Sequence, residues 1–190
     1  MVETSKMIHS TFSKENYENA CDISESQLVS EFGGIVYRFC ISLVYRKEDA
    51  DDLFQDTYVR AFSEIEKIRA SGNPKSFLLS VATSLWRSNR RKYARRNRLA
   101  PIVDFDEANI IEAESLEDRA IANEEVLMVR ELVNDLPNKL KVTVVMYYTV
   151  EMSIADIART LKLPIGTVKS QLSRARAIIR KGLENKYGNE

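Results

Sequence analysis

The sequence predicts an all-α protein: two small helical domains joined by an acidic linker, the second containing a helix-turn-helix. Three observations carry that prediction. Apolar residues recur at helical spacing along most of the chain, with almost no strand-like alternation. Turn-forming clusters interrupt the pattern at Ser71–Pro74, Pro137–Asn138 and Lys162–Pro164. Charge is also sorted into blocks, although 28 basic and 28 acidic residues leave the whole chain at zero. At 190 residues and 44% hydrophobic content the chain can bury a sizeable core.

Residues 1–25 read as a polar N-terminal extension with no assignable task. The first domain spans residues 26–98. Leu28, Phe32, Ile35, Val36, Phe39, Leu43 and Val44 give a helix over Ser26–Tyr45 with one buried stripe. Glu48 and Asp49 suit the N-terminus of a second helix, whose pattern Ala50, Leu53, Tyr58, Ala61, Ile65, Ile68 runs on without a break. Ser71, Gly72, Asn73 and Pro74 form a turn, and Pro74 opens a third helix that carries Phe77, Val81, Leu85 and Trp86.

No acid occurs from Lys67 to Arg98, and the run RSNRRKYARRNR, Arg87–Arg98, holds seven basic residues in twelve. Such a run fits nucleic-acid phosphates and predicts a steep salt dependence; a solvated helix end is the plain alternative. Tyr93 and Trp86 are placed to stack on unpaired bases, with Trp86 equally suited to the core. The sign then reverses in a linker assigned to residues 99–119: Asp104–Asp118 has seven acids and no Lys or Arg. Fully extended, such a stretch reaches about 50 Å, enough to separate two modules on one partner.

The second domain is assigned to residues 120–187. Val126, Val129, Val133 and Leu136 are expected on one helical face, and Leu140, Val144, Val145 and Tyr148 on the next. Ser153 and Asp156 have capping-box spacing ahead of Ile154, Ile157, Ala158 and Leu161. After the turn, Val168, Leu172, Ala175, Ile179 and Leu183 fall in one stripe, while Lys169, Ser170, Ser173, Arg174, Arg176, Arg180 and Lys181 project elsewhere. From Ile157 to Leu183 there are seven basic residues and no acid. A helix with an apolar back and an Arg, Lys and Ser front suits the DNA major groove.

Two motifs, Asp51-Asp52-Leu53-Phe54-Gln55-Asp56 and Pro164-Ile165-Gly166-Thr167-Val168-Lys169-Ser170 with Ser173-Arg174-Ala175-Arg176, occur in that order around the acidic linker. Over residues 26–184 the chain thereby resembles the extracytoplasmic-function (ECF) sigma factors, non-catalytic subunits of bacterial RNA polymerase. The resemblance implies a region 2-like first domain and a region 4-like second. Asp52, Gln55, Asp56 and Arg60 would dock on core RNA polymerase. Ser71 and Asn73 would receive a base flipped from the −10 element of promoter DNA, with Arg87, Arg90, Arg91 and Arg95 on the backbone. Thr167, Lys169, Ser170, Ser173, Arg174, Arg176 and Arg180 would read the −35 element. An anti-sigma factor is implied as a further partner. The sequence departs from the family pattern at Thr83 and Ser84, where Arg and Asn are common, at Asn89, where Asp is common, and at Lys162, where Gly favours a left-handed turn.

Other classes find less support. Cys21 and Cys40 are far apart and His9 is the sole histidine, so no metal site or disulfide framework is indicated. No phosphate-binding Gly loop or nucleophile–base pair points to an enzyme, a cofactor or a small-molecule substrate. The N-terminus MVETSKMIHS lacks a basic start followed by an apolar run, and no segment approaches a membrane span, so a soluble cytoplasmic protein is expected. The competing reading is a one-site LuxR-like helix-turn-helix regulator with residues 26–98 as a sensor or dimer module.

Overall fold

The computed structural model describes residues 23–99 and 124–187, and these form helices connected by short turns. The acidic stretch Asp104–Asp118, the start of the second domain near Ala120, Cys21 and almost all of the N-terminal extension lie outside the described residues.

Helix α1, Glu25–Leu43, starts at a capping box in which Ser24 and Gln27 satisfy one another's backbone N–H groups. It buries Leu28, Val36, Phe39, Cys40 and Leu43. Burial pushes the Cys40 thiol up to about 12, which suits an inert packing residue. Helix α2, Lys47–Phe62, carries Glu48 and Asp49 in its first turn and Arg60 in its last, matching the helix dipole at both ends.

The pattern expected to run unbroken to Ile68 is interrupted. A short helix α3, Ile65–Ser71, follows a break at Ser63 and Glu64. Ser63 turns its hydroxyl back to the Arg60 carbonyl at 2.7 Å, a bond that competes with helix continuation. Glu64 ties the two segments by pairing with Arg60 at 2.6 Å and Lys67 at 2.9 Å. Periodicity missed the break because Ile68 still reaches the core.

Gly72 ends α3 in the left-handed region at φ 63°, where a side chain would be strained. Asn73 then accepts the Ser76 N–H at 2.9 Å, capping helix α4, Pro74–Leu99. The fully buried face of α4 is Leu78, Leu79, Ala82 and Trp86; Phe77, Val81 and Leu85, expected to define it, are only half-buried at its flanks.

The second half comprises α5 (Glu124–Asn134), α6 (Asn138–Tyr148), α7 (Ile154–Leu161) and α8 (Ile165–Tyr187). Val126 and Val129 are exposed rather than inward, as is Tyr148, whereas Leu136, Leu140, Val144 and Val145 are buried as expected. Helix α6 is buried almost all round, including Lys141. Ser153 caps α7 by accepting the Asp156 N–H at 3.1 Å. Lys162 then takes the left-handed conformation, φ 53° and ψ 47°, and turns the chain into α8.

The two halves touch: α1 packs on α6, and α4 on α7. The Tyr45 hydroxyl donates to Asp135 at 3.3 Å, and the Lys141 ammonium lies 6.0 Å from the centroid of Trp86. This closed arrangement brings the basic end of α4 beside the turn of the helix-turn-helix.

Candidate nucleic-acid interface

Helix α2 sorts its acids by direction. Asp51 is partly buried and accepts the Tyr37 hydroxyl at 3.0 Å, so it belongs to the packing of α1 on α2. Asp52, Gln55, Asp56 and Arg60 all point to solvent. They share one face because steps of three and four residues return to the same side of a helix. Arg60 is engaged by Glu64, so the face is dominated by acid and amide groups. Val59, 70% exposed, sits among them and was missed by the sequence reading. Its signal was available: it falls three residues after Asp56 and one before Arg60 on the same face.

The α3–α4 loop holds Ser71 and Asn73 in structural bonds. Ser71 donates to the Ile68 carbonyl at 2.7 Å and accepts the Asn73 N–H at 3.2 Å, while Asn73 Oδ1 caps α4. These bonds fix the shape of the loop and use part of each side chain's capacity. Beyond it, α4 presents Arg90, Arg91 and Arg95 to solvent, with Arg87 half-buried. Burial, and next the charge of Arg91, lower the pKa of Arg87. Arg90 stacks its guanidinium 5.6 Å from the Trp86 centroid. Trp86 is 3% exposed and therefore part of the core, while Tyr93 is 52% exposed and stands free to stack. Of the positions where the sequence departs from the family pattern, Thr83 is buried with its hydroxyl donating to Leu79, and Ser84 is exposed.

Helix α8 divides as its sequence predicts. Val168, Leu172 and Ala175 are buried against α6 and α7, and Gln171 accepts the Thr143 hydroxyl at 2.6 Å, fixing the rotation of α8. Lys169, Ser170, Ser173, Arg174, Arg176 and Arg180 are all exposed, with Thr167 half-buried at the N-terminal end. Ser170 bonds the Thr167 carbonyl, and Arg176 directs its Nε to the Leu172 carbonyl at 3.3 Å, leaving the outer edge of the guanidinium outward. A helix whose exposed front carries basic residues and no acid from Ile165 to Leu183, on a three-helix support, is the geometry that enters a major groove.

Comparison with known proteins assigns families to both halves. Residues 28–96 match the Sigma-70 region 2 family and residues 127–179 the Sigma-70 region 4 family, together well over half of the chain. Among curated relatives, the ECF RNA polymerase sigma factor SigW of Bacillus subtilis is 24% identical over 166 residues, covering 84% of this chain and 89% of SigW. The ECF sigma factor EcfG of Rhodopseudomonas palustris is 28% identical over 139 residues, covering 73% of this chain and 74% of EcfG. The fold is similar to that of the sigma factor RpoE solved with the anti-sigma factor NepR from Bartonella quintana, with a TM-score of 0.67, 24% identity, and coverage of 82% of this chain and 95% of that one. It is also similar to CnrH solved with the cytosolic domain of CnrY, with a TM-score of 0.62, 20% identity, and coverage of 89% and 95%.

Proposed function

The chain belongs to the ECF sigma factors, alternative sigma factors that direct transcription initiation, and from that premise we propose which of its faces does what. Helix α2 docks on core RNA polymerase through Asp52, Gln55, Asp56 and Val59, an acidic face with an apolar centre that complements a basic partner surface. The α3–α4 loop and Arg87, Arg90, Arg91 and Arg95 engage the −10 element. Helix α8 reads the −35 element through Lys169, Ser170, Ser173, Arg174, Arg176 and Arg180, with Thr167 at its entry. Residues 26–98 and 120–187 are the working domains of this reading, and residues 99–119 the tether between them.

One observation carries it: the exposed face of α2 built from Asp52, Gln55 and Asp56 is acidic, whereas the exposed face of α4 from Arg87 to Arg95 and that of α8 from Lys169 to Lys181 carry basic residues and no acid. Phosphate contacts position a protein on DNA and base-edge contacts specify the site; α4 is built for the first and α8 for both. The protein acts by binding, without catalysis. Its working place is the cytoplasm, and among the described residues no helix is long and apolar enough to cross a membrane. An anti-sigma factor that covers the α2 face is the third partner.

The decisive experiment is reconstitution with purified core polymerase. Promoter-specific transcripts should appear only when both are present. A one-site regulator would instead shift short duplex DNA unaided, and a chain that does so with full specificity overturns this assignment. The region 2 match across residues 28–96 already disfavours a sensor module there.

A further inference from the structure

Between the two halves lies a cleft of about 270 Å³ with walls from α4 and from the α7–α8 turn. Its charged lining is Arg87, Arg91 and Lys162, with no acid among the lining residues. Arg87 and Arg91 are one helical turn apart, and burial first, then the charge of Arg91, lower the pKa of Arg87. Closing the halves adds Lys162 to the same cleft, so three like charges converge where no lining carboxylate neutralises them.

The hydroxyl groups sharpen the picture. Ser80 and Thr83 donate their protons to the carbonyls of Phe77 and Leu79, at 2.8 Å each, and are spoken for. Thr160, also in the wall, is only 8% exposed, and its hydroxyl is buried without a hydrogen-bond partner. A partnerless buried hydroxyl is uncommon, because leaving one unsatisfied costs about 1–3 kcal/mol. Three cations around a small polar cleft, with the buried Thr160 in its wall, are complementary to a compact, multiply charged oxyanion. The volume falls just below the roughly 300 Å³ at which pockets begin to take drug-sized ligands. A double helix does not fit in it.

We propose that this cleft is a binding site for a free phosphoryl anion, with Arg87 and Arg91 of α4 and Lys162 of the α7–α8 turn holding its oxygens and Thr160 at its wall. The site is composite, complete only when the two halves are closed. Occupation therefore ties the halves together and, by linkage, opposes any partner that needs them apart. Arg87 and Arg91 are shared with the proposed −10 contacts, but the binding test needs neither DNA nor polymerase, so its outcome does not depend on the promoter reading.

The test is calorimetric titration of sodium pyrophosphate, and separately of orthophosphate, into the full chain at constant ionic strength set with sodium chloride. The expected result is saturable binding of one anion per chain. Arg91→Gln and Lys162→Gln, one from each wall, should each weaken it about tenfold or more, the loss of one charge-assisted bond. Lys181→Gln removes the same charge from α8 outside the cleft and should change affinity less than about twofold. Absence of saturable heat with both anions overturns the site. So does an equal loss in Lys181→Gln, which reduces the attraction to general surface charge, or a loss in Arg91→Gln alone, which removes Lys162 from the site.

Discussion

The Lys141 ammonium stands 5.2 Å from the ring centroid of Tyr45, a contact between α6 and the chain just beyond α1. Lys141 is fully buried, donates to Asn134 Oδ1 at 2.7 Å and also faces Trp86. A charged group thus sits inside the seam where the halves meet. Aromatic faces favour the ammonium. Burial works against it, as does the nearby charge of Arg90, while Asp135 supports it.

The balance predicts a pH dependence. Burial first, then Arg90, brings the Lys141 pKa from 10.5 down to about 8. In the folded chain the amine loses its proton near pH 8, whereas the unfolded chain keeps it until about 10.5, so the unfolded state binds more protons across that window. Stability therefore rises from pH 8 towards 10.5, and the full penalty is present below pH 8. Its ceiling is about 3 kcal/mol at 1.36 kcal/mol per unit of pKa, reduced by the two aromatic contacts. Lys141→Met keeps the volume and removes the charge. Denaturant midpoints should show the wild-type chain gaining on the variant between pH 8 and 10; parallel curves would exclude Lys141 as the titrating group.

Much of this was legible in the sequence, and the failures share a cause. The Ser153 cap, the Gly72 turn, the stripe of α8 and the basic runs of α4 and α8 depend on local chemistry and were readable as such. Lys141 was not, because a lysine in a helix normally reads as solvent-facing and only the packing of α1 on α6, with Trp86 of α4 over its ammonium, buries it. Val126, Val129 and Tyr148 have apolar or aromatic side chains at helical spacing, but among the described residues no other helix buries them. Periodicity reports which residues share a face, and says nothing of whether that face finds a partner. Val59 shows the same gap from the other direction: an apolar residue among acids is visible in sequence, but its exposure required the structure.

Asp56→Arg tests the docking face. Asp56 is exposed on α2, so reversal should leave the thermal midpoint within a degree or two, surface changes being mostly within about 0.5 kcal/mol. Affinity for core polymerase should fall by about tenfold or more through like-charge juxtaposition across the interface. Unchanged affinity with an intact fold moves the docking surface elsewhere.

Lys162 pays for its backbone conformation. At φ 53° a non-glycine residue is disfavoured by roughly 1–2 kcal/mol, partly offset because glycine adds entropy to the unfolded chain. Lys162→Gly should stabilise the chain by a net of up to about 1 kcal/mol, read by denaturant unfolding in phosphate-free buffer. Lys162→Ala removes the same charge and keeps the strain, so it should gain nothing comparable. Equal gains in both variants would assign the effect to charge.

On α8, Arg174 and Arg176 differ from Lys181 in what they reach. Both arginines are exposed on the front of the helix-turn-helix, one turn or more nearer its N-terminus than Lys181. Arg174→Ala or Arg176→Ala should cost about 1–3 kcal/mol and relax the sequence preference at one base pair, where a bidentate guanine contact is lost. Lys181→Ala should weaken all sequences alike. Binding of the polymerase complex to a panel of single-base promoter variants separates the two behaviours, and a uniform loss in all three variants would reduce α8 to a phosphate grip.

The closed seam also bears on promoter geometry. On the proposed reading, reaching two separated DNA elements requires the contacts of Tyr45 with Asp135 and of Lys141 with Tyr45 and Trp86 to part, and polymerase would then fix the distance between the modules. Adding about 5 base pairs between the −10 and −35 elements turns one by about half a helical turn relative to the other, since a turn takes 10–10.5 base pairs. The tether is long enough to follow, but the anchored modules are not free to rotate. Initiation from the altered promoter in a purified assay should be nearly abolished, and lengthening the Asp104–Asp118 stretch should rescue little of it. Adding about 10 base pairs restores the face and stretches the separation instead, so recovery there with loss at 5 would show that orientation alone is limiting and that the modules tolerate displacement along the duplex. Full-strength transcription with the half-turn insertion would break the coupling of α4 and α8 through one polymerase, because only independently acting modules are indifferent to their relative rotation.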